Sequence, residues 1–207
     1  MKKYLVIGNP IDHSLSPRLH NYWLKENNID GIYEKKKIRP DESENIITQL
    51  RNKKISGINV TVPFKKDIIP YLDKLSDESS ITQSVNTIYL EHDNVVGHNT
   101  DTFGFESSLE NTKFDLKNKK VLILGAGGVV PSIIYVLEKA GVLSISISNR
   151  TKSKADDLKK LFGNLNVCEW GILPDFDLIA ITDISFLNFT KCSIIYLFVT
   201  ISFFLIL

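Results

Sequence analysis

A lysine and a carboxylate able to converge on one hydroxyl are the first chemistry this chain offers. Lys65 closes the stretch Gly57-Ile-Asn-Val-Thr-Val-Pro-Phe-Lys65, and Asp101 stands inside Gly97-His-Asn-Thr-Asp-Thr-Phe-Gly-Phe105. An ammonium and a carboxylate placed on the same hydroxyl can manage its proton. Around Lys65, the residues Ile58, Val60 and Val62 alternate with Gly57, Asn59 and Thr61, the period-2 pattern of a half-buried strand. Pro63 cannot donate to a sheet ladder and stops that strand. Asn59 and Thr61 therefore present an amide and a hydroxyl on one face, with Lys65 just past the end. An amphipathic edge strand with a solvated lysine is the purely structural alternative. Asn99, Thr100 and Asp101 fall between a short apolar strand, Asn94–Gly97, and helical spacing at Phe103, Phe105 and Leu109. Polar side chains at such a junction either cap the helix or face a cleft.

The second half of the chain carries a phosphate-binding pattern. Lys120-Val-Leu-Ile-Leu124 is a continuous apolar run, as in a buried parallel strand. It enters Gly125-Ala-Gly-Gly-Val-Val-Pro131 and then a helix with Ile133, Ile134, Val136 and Leu137. Strand, glycine-rich turn and helix together make a dinucleotide site: Gly125 and Gly127 let the backbone approach a pyrophosphate that the helix N-terminus stabilises. Val130 stands where the third small residue is usual. Leu143 to Ser148 is the next strand, and it ends in Asn149-Arg-Thr151 with Lys154 nearby. A carboxylate at that end would bond a ribose 2′-hydroxyl; Arg150 and Lys154 instead suit a 2′-phosphate. As plain surface cations at a helix start they would oppose the helix dipole. The pattern selects NADP over NAD.

Together with Gly8-Asn-Pro-Ile-Asp-His-Ser-Leu-Ser-Pro-Arg-Leu-His-Asn21, these motifs resemble the shikimate dehydrogenase family in order and spacing, from Met1 to about Asp177. The resemblance implies an α/β fold with an N-terminal substrate-binding lobe over 1–112 and a Rossmann-type NADP domain over 113–207. It implies reversible reduction of 3-dehydroshikimate to shikimate by NADPH, a step toward chorismate and the aromatic amino acids. Lys65 would be the acid–base residue, with Asp101 binding a substrate hydroxyl and fixing Lys65. Ser14 and Ser16 would bind the substrate carboxylate, although local capping by Ser16, ahead of Pro17, is the plain reading of that pair. Asn59, Thr61 and Asn86 would complete the substrate site. Gly125, Ala126, Gly127, Gly128, Val129, Asn149, Arg150, Thr151 and Lys154 would hold NADP. The chain departs from the family at Gln83-Ser84, where a small pair is usual before Val-Asn-Thr.

The elements around these residues read as strand and helix in alternation, the α/β signature. Tyr4–Ile7 is a strand, Leu19 to Leu24 a helix, and Ile32–Ile38 an edge strand guarded by Lys35, Lys36 and Lys37. A helix at Ile46–Leu50 follows, then short helices at 64–72 and 76–83 and a strand over 84–90 whose Val85 and Thr87 oppose Asn86 and Ile88. The polar segment 111–118 marks the domain boundary.

Composition sets bounds. Hydrophobic residues make 43% and charged residues 24% of 207, with a net charge of +1, so nothing points to nucleic acid. The two cysteines, Cys168 and Cys192, have neither metal-ligand nor disulfide spacing, which suits a reducing cytoplasm and no metal. The partners expected are small molecules, with a homodimer as the assembly to test. After Ile179 the family pattern lapses: Ala180 onward never returns to it, and Cys192–Leu207 is apolar. A membrane anchor needs about 20 such residues, which this run does not reach, so a truncated or frame-shifted end is the better reading. The alternatives to a shikimate dehydrogenase are a quinate/shikimate enzyme of relaxed specificity and a non-catalytic, truncated relative.

Overall fold

Alternating apolar residues in short strands, each followed by a helix with an apolar stripe, force two sheet-based cores in this chain. A computed structural model describes residues 1–182 and, for the backbone alone, Tyr196–Phe198. Contacts divide the chain between Thr100 and Asp101.

The first unit contains β1 (Lys2–Gly8), α1 (Ser16–Glu26), β2 (Gly31–Lys37), α2 (Ser43–Arg51), β3 (Gly57–Val60), β4 (Lys74–Leu75), α3 (Asp77–Thr82), β5 (Thr87–Glu91) and β6 (Asn94–His98). Its six-stranded sheet has the order β2-β1-β3-β5-β6-β4. β1 runs parallel to both β2 and β3, whereas β5 is antiparallel to β3 and β6. Alternation sorts the faces. Leu5, Ile7, Ile58, Val60 and Ile88 pack with Ile46, Ile47 and Leu50 of α2 on one side, while Val6 packs with Ile11, Leu24 and Tyr33 on the other. Each fully buried aliphatic side chain contributes about 1.5–3 kcal/mol, so the larger cluster carries most of this unit's stability.

Several local features depart from expectation. Residues 64–72 hold turns and a single 3-10 turn at Ile69–Tyr71 rather than a helix. Pro70 has no N–H, and its ring excludes the regular α-helical bond pattern there. The strand expected from Ser84 begins at Thr87. Val85 and Ile88 both join the α2-side cluster. Straight alternation would put positions of odd separation on opposite faces, so the chain turns between them. β2 does lie at the sheet edge, and β3 ends at Val60 rather than at Val62.

The second unit starts with α4 (Asp101–Thr112), followed by β7 (Lys120–Leu124), α5 (Val130–Lys139), β8 (Ser144–Ser148), α6 (Lys152–Phe162), β9 (Leu165–Cys168), β10 (Leu178–Ile181) and β11 (Tyr196–Phe198). The sheet is parallel throughout, in the order β11-β10-β7-β8-β9. The boundary lies earlier than the 112/113 break expected from the polar segment. Phe105 and Leu109 of α4 share a core with Val121, Ile133 and Ile145, and that burial assigns α4 to this unit. Val130, where a smaller residue was expected, is fully buried in the same core. Among the described residues no helix is long and apolar enough to cross a membrane. The anchor and truncation readings of Cys192–Leu207 fall outside the described residues, apart from the backbone of β11.

Candidate active site

The polar face of β3 is built as the alternation requires. Ile58 and Val60 point into the core, so Asn59 between them faces the other way, in register with Val6 of β1 and Thr87 of β5. The Asn59 amide is held on both sides. Its Nδ2 donates to the Asn86 carbonyl (3.3 Å) and to Thr87 Oγ1 (3.1 Å), and its Oδ1 accepts from Tyr33 Oη at 2.7 Å.

Beyond β3, Thr61 donates its N–H to Ile7 O (2.9 Å) and Asn9 donates to Val62 O (3.0 Å). The segment 61–62 is thus strapped to the end of β1. Gly8 permits this closeness: a Cβ added there would stand 2.6 Å from Thr61 Cγ2. Lys65 is half-buried, and its carbonyl accepts from Val85 N at 2.8 Å. Val60 N donates to Asn86 O, also at 2.8 Å. These two backbone bonds hold the Lys65 segment beside the Asn86 segment.

Asn86 in turn latches the residue ahead of Asp101. Its Oδ1 accepts from Thr100 N (3.0 Å) and its Nδ2 donates to Thr100 Oγ1 (3.0 Å). Asn99 is fully buried and donates to Thr82 Oγ1 at 3.0 Å. Asp101 lies within the first turn of α4 rather than at a separate N-cap, and is buried. A carboxylate in a first helical turn is favoured by the helix dipole.

At the start of α1 the capping differs from expectation. Ser16 is the first helical residue, Leu15 holds the N-cap position, and no cap side chain bonds there. Ser14 Oγ accepts from Ser16 N at 3.3 Å, so the local hydroxyl partner is Ser14. Helix ends shift by a residue or two with cap geometry, and here the break comes one residue earlier than Ser16-as-cap would place it.

In the second unit the glycine-rich turn joins β7 to α5. Gly125 has φ +115°, a conformation that side-chain-bearing residues rarely adopt, and its N–H donates to Ser148 O at 2.9 Å. Gly127 and Gly128 are exposed, and a Cβ added at Gly127 would meet nothing within 4 Å. The backbone is therefore open to a phosphate at the N-terminus of α5, with Ala126 and Val129 half-buried beside it. At the end of β8, Asn149 Nδ2 donates to Thr151 O (2.8 Å), a turn-forming role. Arg150, Thr151 and Lys154 are exposed. Lys152 is neutralised by Asp156 at 2.8 Å, whereas Lys154 makes no ion pair among the described residues. No carboxylate occupies Ser148-Asn149-Arg150-Thr151. The residues present fit a dinucleotide that carries a 2′-phosphate.

Comparison with known proteins agrees with this arrangement. The family model of the shikimate dehydrogenase substrate binding domain matches residues 6–88, and that of shikimate / quinate 5-dehydrogenase matches 108–188. A curated shikimate dehydrogenase (NADP(+)) from Pelagibacter ubique is 55% identical over 178 residues, covering 86% of this chain and 67% of that protein. The chain belongs to the shikimate dehydrogenase family.

Two solved shikimate dehydrogenases have the same described architecture. That of Aquifex aeolicus aligns with TM-score 0.78 at 36% identity, covering 88% of this chain and 69% of the other. That of Thermus thermophilus, solved with NADP(H) and shikimate, aligns with TM-score 0.76 at 29% identity, with 88% and 69% covered. The chain thus spans about two thirds of the length of these shikimate dehydrogenases. Within it, two residues are given no role by the motifs: Tyr33, which bonds Asn59 from a strand read only as a lysine-guarded edge, and His20, inside the Gly8–Asn21 motif, which stacks on Tyr33. Their partners are distant in sequence, so no local pattern points to them.

Proposed function

We propose that this chain catalyses the reversible reduction of 3-dehydroshikimate to shikimate with NADPH. The observation that carries the reading is the backbone stitching of Lys65 to Val85 and of Val60 to Asn86. It brings the chain at Lys65 beside the chain at Asn86, next to the strand that carries Asn59.

In the reduction direction Lys65 Nζ donates a proton to the oxygen that becomes the new hydroxyl; in oxidation the neutral amine takes it back. A lysine ordinarily titrates near ~10.4, so its surroundings decide how readily it serves as the base. Asp101 accepts from a substrate hydroxyl. Ser14 and Ser16, at the start of α1, donate to the substrate carboxylate, which the helix N-terminus also favours. Asn59, Thr61 and Asn86 bind the remaining hydroxyls and keep the carbon skeleton in one orientation. NADPH, when bound, would supply the hydride for reduction, and NADP+ would take it back in oxidation. The turn at Gly125, Ala126, Gly127, Gly128 and Val129 would take its pyrophosphate, and Asn149, Arg150, Thr151 and Lys154 its 2′-phosphate.

The reading places the protein in the cytoplasm with small molecules as partners; sedimentation tests the homodimer. Purified chain with shikimate and NADP+ is expected to generate NADPH, followed by its absorbance, and to do so faster than with NAD+. Quinate in place of shikimate measures how relaxed the specificity is. Absence of both turnover and shikimate binding would sink the proposal; binding without turnover would reduce the chain to a non-catalytic relative.

A further inference from the structure

Tyr33 sits on β2, and β1 separates it from Asn59 on β3. The register puts Tyr4 opposite Tyr33 and Val6 opposite Asn59, so the phenol reaches across β1 over Val6 to place its hydroxyl 2.7 Å from Asn59 Oδ1. Three contacts fix the phenol before it reaches Asn59. The ring of His20 stacks on it at 4.1 Å with an interplanar angle of 6°. Asn21 grips the Tyr33 backbone from both sides, accepting from its N–H at 2.9 Å and donating to its carbonyl at 2.8 Å. Val6, Ile11 and Leu24 pack around it, leaving the residue 4% exposed.

The Asn86 carbonyl decides which way the Asn59 amide points, and the Tyr33 hydroxyl holds it in that orientation. The Asn86 carbonyl is an acceptor only, so the face of Asn59 turned toward it must be the NH₂ group. The opposite face is then Oδ1, and Tyr33 supplies the O–H that satisfies it. A flipped amide would set two carbonyl oxygens against each other and leave the phenol facing a donor. With both amide protons engaged and one Oδ1 lone pair taken, Asn59 retains an acceptor lone pair for a ligand. Burial pushes the Tyr33 hydroxyl well above its usual range, so it remains a donor at working pH. Burial also lowers His20 to about 4, so the stacked ring stays neutral.

We infer that Tyr33, braced by His20, is a positioning residue for the substrate site: it acts through Asn59, holding that amide with Oδ1 presented to a substrate hydroxyl. This rests on the shikimate reading of the site. Replacing Tyr33 by Phe keeps the stack and removes only the hydrogen bond, which is worth about 0.5–1.5 kcal/mol, or about a 2- to 10-fold change in affinity.

The test uses the full chain and three variants: Tyr33→Phe, Asn59→Ala, and the two combined. In the free protein, the Asn59 side-chain amide resonances, assigned by their loss in Asn59→Ala, are expected to shift in Tyr33→Phe. The shikimate Kd is expected to rise about 2- to 10-fold in Tyr33→Phe with the thermal midpoint nearly kept, and no further when the change is added to Asn59→Ala. An unmoved Asn59 amide, or an equal loss from Tyr33→Phe in the Asn59→Ala background, overturns the inference. If the wild-type chain binds no shikimate, the substrate reading falls and takes the affinity effect with it. The amide resonances still report separately whether Tyr33 orients Asn59.

Discussion

The carbonyl of Lys65 accepts a hydrogen bond from the backbone N–H of Val85 at 2.8 Å, across a loop and a turn that share no strand ladder at that point. The backbone at the lysine is therefore held by a bond in which its side chain takes no part. A change of side chain leaves the atoms of that bond in place.

That separation makes Lys65→Met informative. Its kcat is expected to fall about 10²- to 10⁴-fold, the usual contribution of a positioned acid–base group. The shikimate Kd is expected to change far less. Single-turnover rates and calorimetric binding check this. A variant with near-normal kcat would remove Lys65 from proton transfer.

Gly8 tests the closeness of β1 to the segment carrying Thr61. Gly8→Ala places a methyl 2.6 Å from Thr61 Cγ2 and 3.2 Å from Val62 O. Overpacking of this kind costs about 1–3 kcal/mol. Thr61→Ser removes the methyl that is struck, so the Gly8→Ala/Thr61→Ser pair is expected to recover part of the loss. Denaturant unfolding of the single and double variants measures it; full additivity of the two changes would contradict the clash.

Cofactor choice is expected to rest on Arg150 and Lys154. Charge-assisted hydrogen bonds are worth about 1.5–3 kcal/mol each. Replacing both residues with Ala should therefore raise the Kd for NADP+ at least about tenfold while leaving NAD+ little changed. Parallel titrations with the two dinucleotides decide it. Equal weakening of both would place these cations elsewhere than at the 2′-phosphate.

His20 predicts a pH dependence of stability. Burial lowers its pKa from 6.5 to about 4 in the folded chain. Above 6.5 the ring is neutral in both folded and unfolded states and adds no slope. Between 6.5 and about 4 only the unfolded chain gains the proton, so stability falls as the pH drops through that window. His20→Phe retains an aromatic ring beneath Tyr33 and cannot be protonated. Its unfolding free energy is expected to decline less over the same window; identical slopes would exclude His20 as the source.

Much of the local structure of the candidate site is legible in the sequence. Lys65 and Asn59 follow from alternation stopped by Pro63, and the glycine-rich turn from a strand-to-helix change of period. Each is a local pattern in which one residue's environment is dictated by near neighbours. Where a single residue altered the local rule, the reading slipped. Pro70 breaks the helix expected over 64–72, and the irregular stretch 84–86 delays β5 to Thr87.

What the amino-acid sequence determined by itself was the family, the α/β class, the order of the elements and the residue types offered to substrate and cofactor. These are encoded in contiguous motifs and short-range periodicity. Only the tertiary structure decided that α4 belongs with the second core, that Ser14 rather than Ser16 supplies the hydroxyl at the α1 start, and that Tyr33 reaches over β1 to Asn59. Such outcomes depend on which strands become neighbours and in what register. Hydrophobic periodicity assigns a residue to a face, but it does not say which distant side chain will share that face.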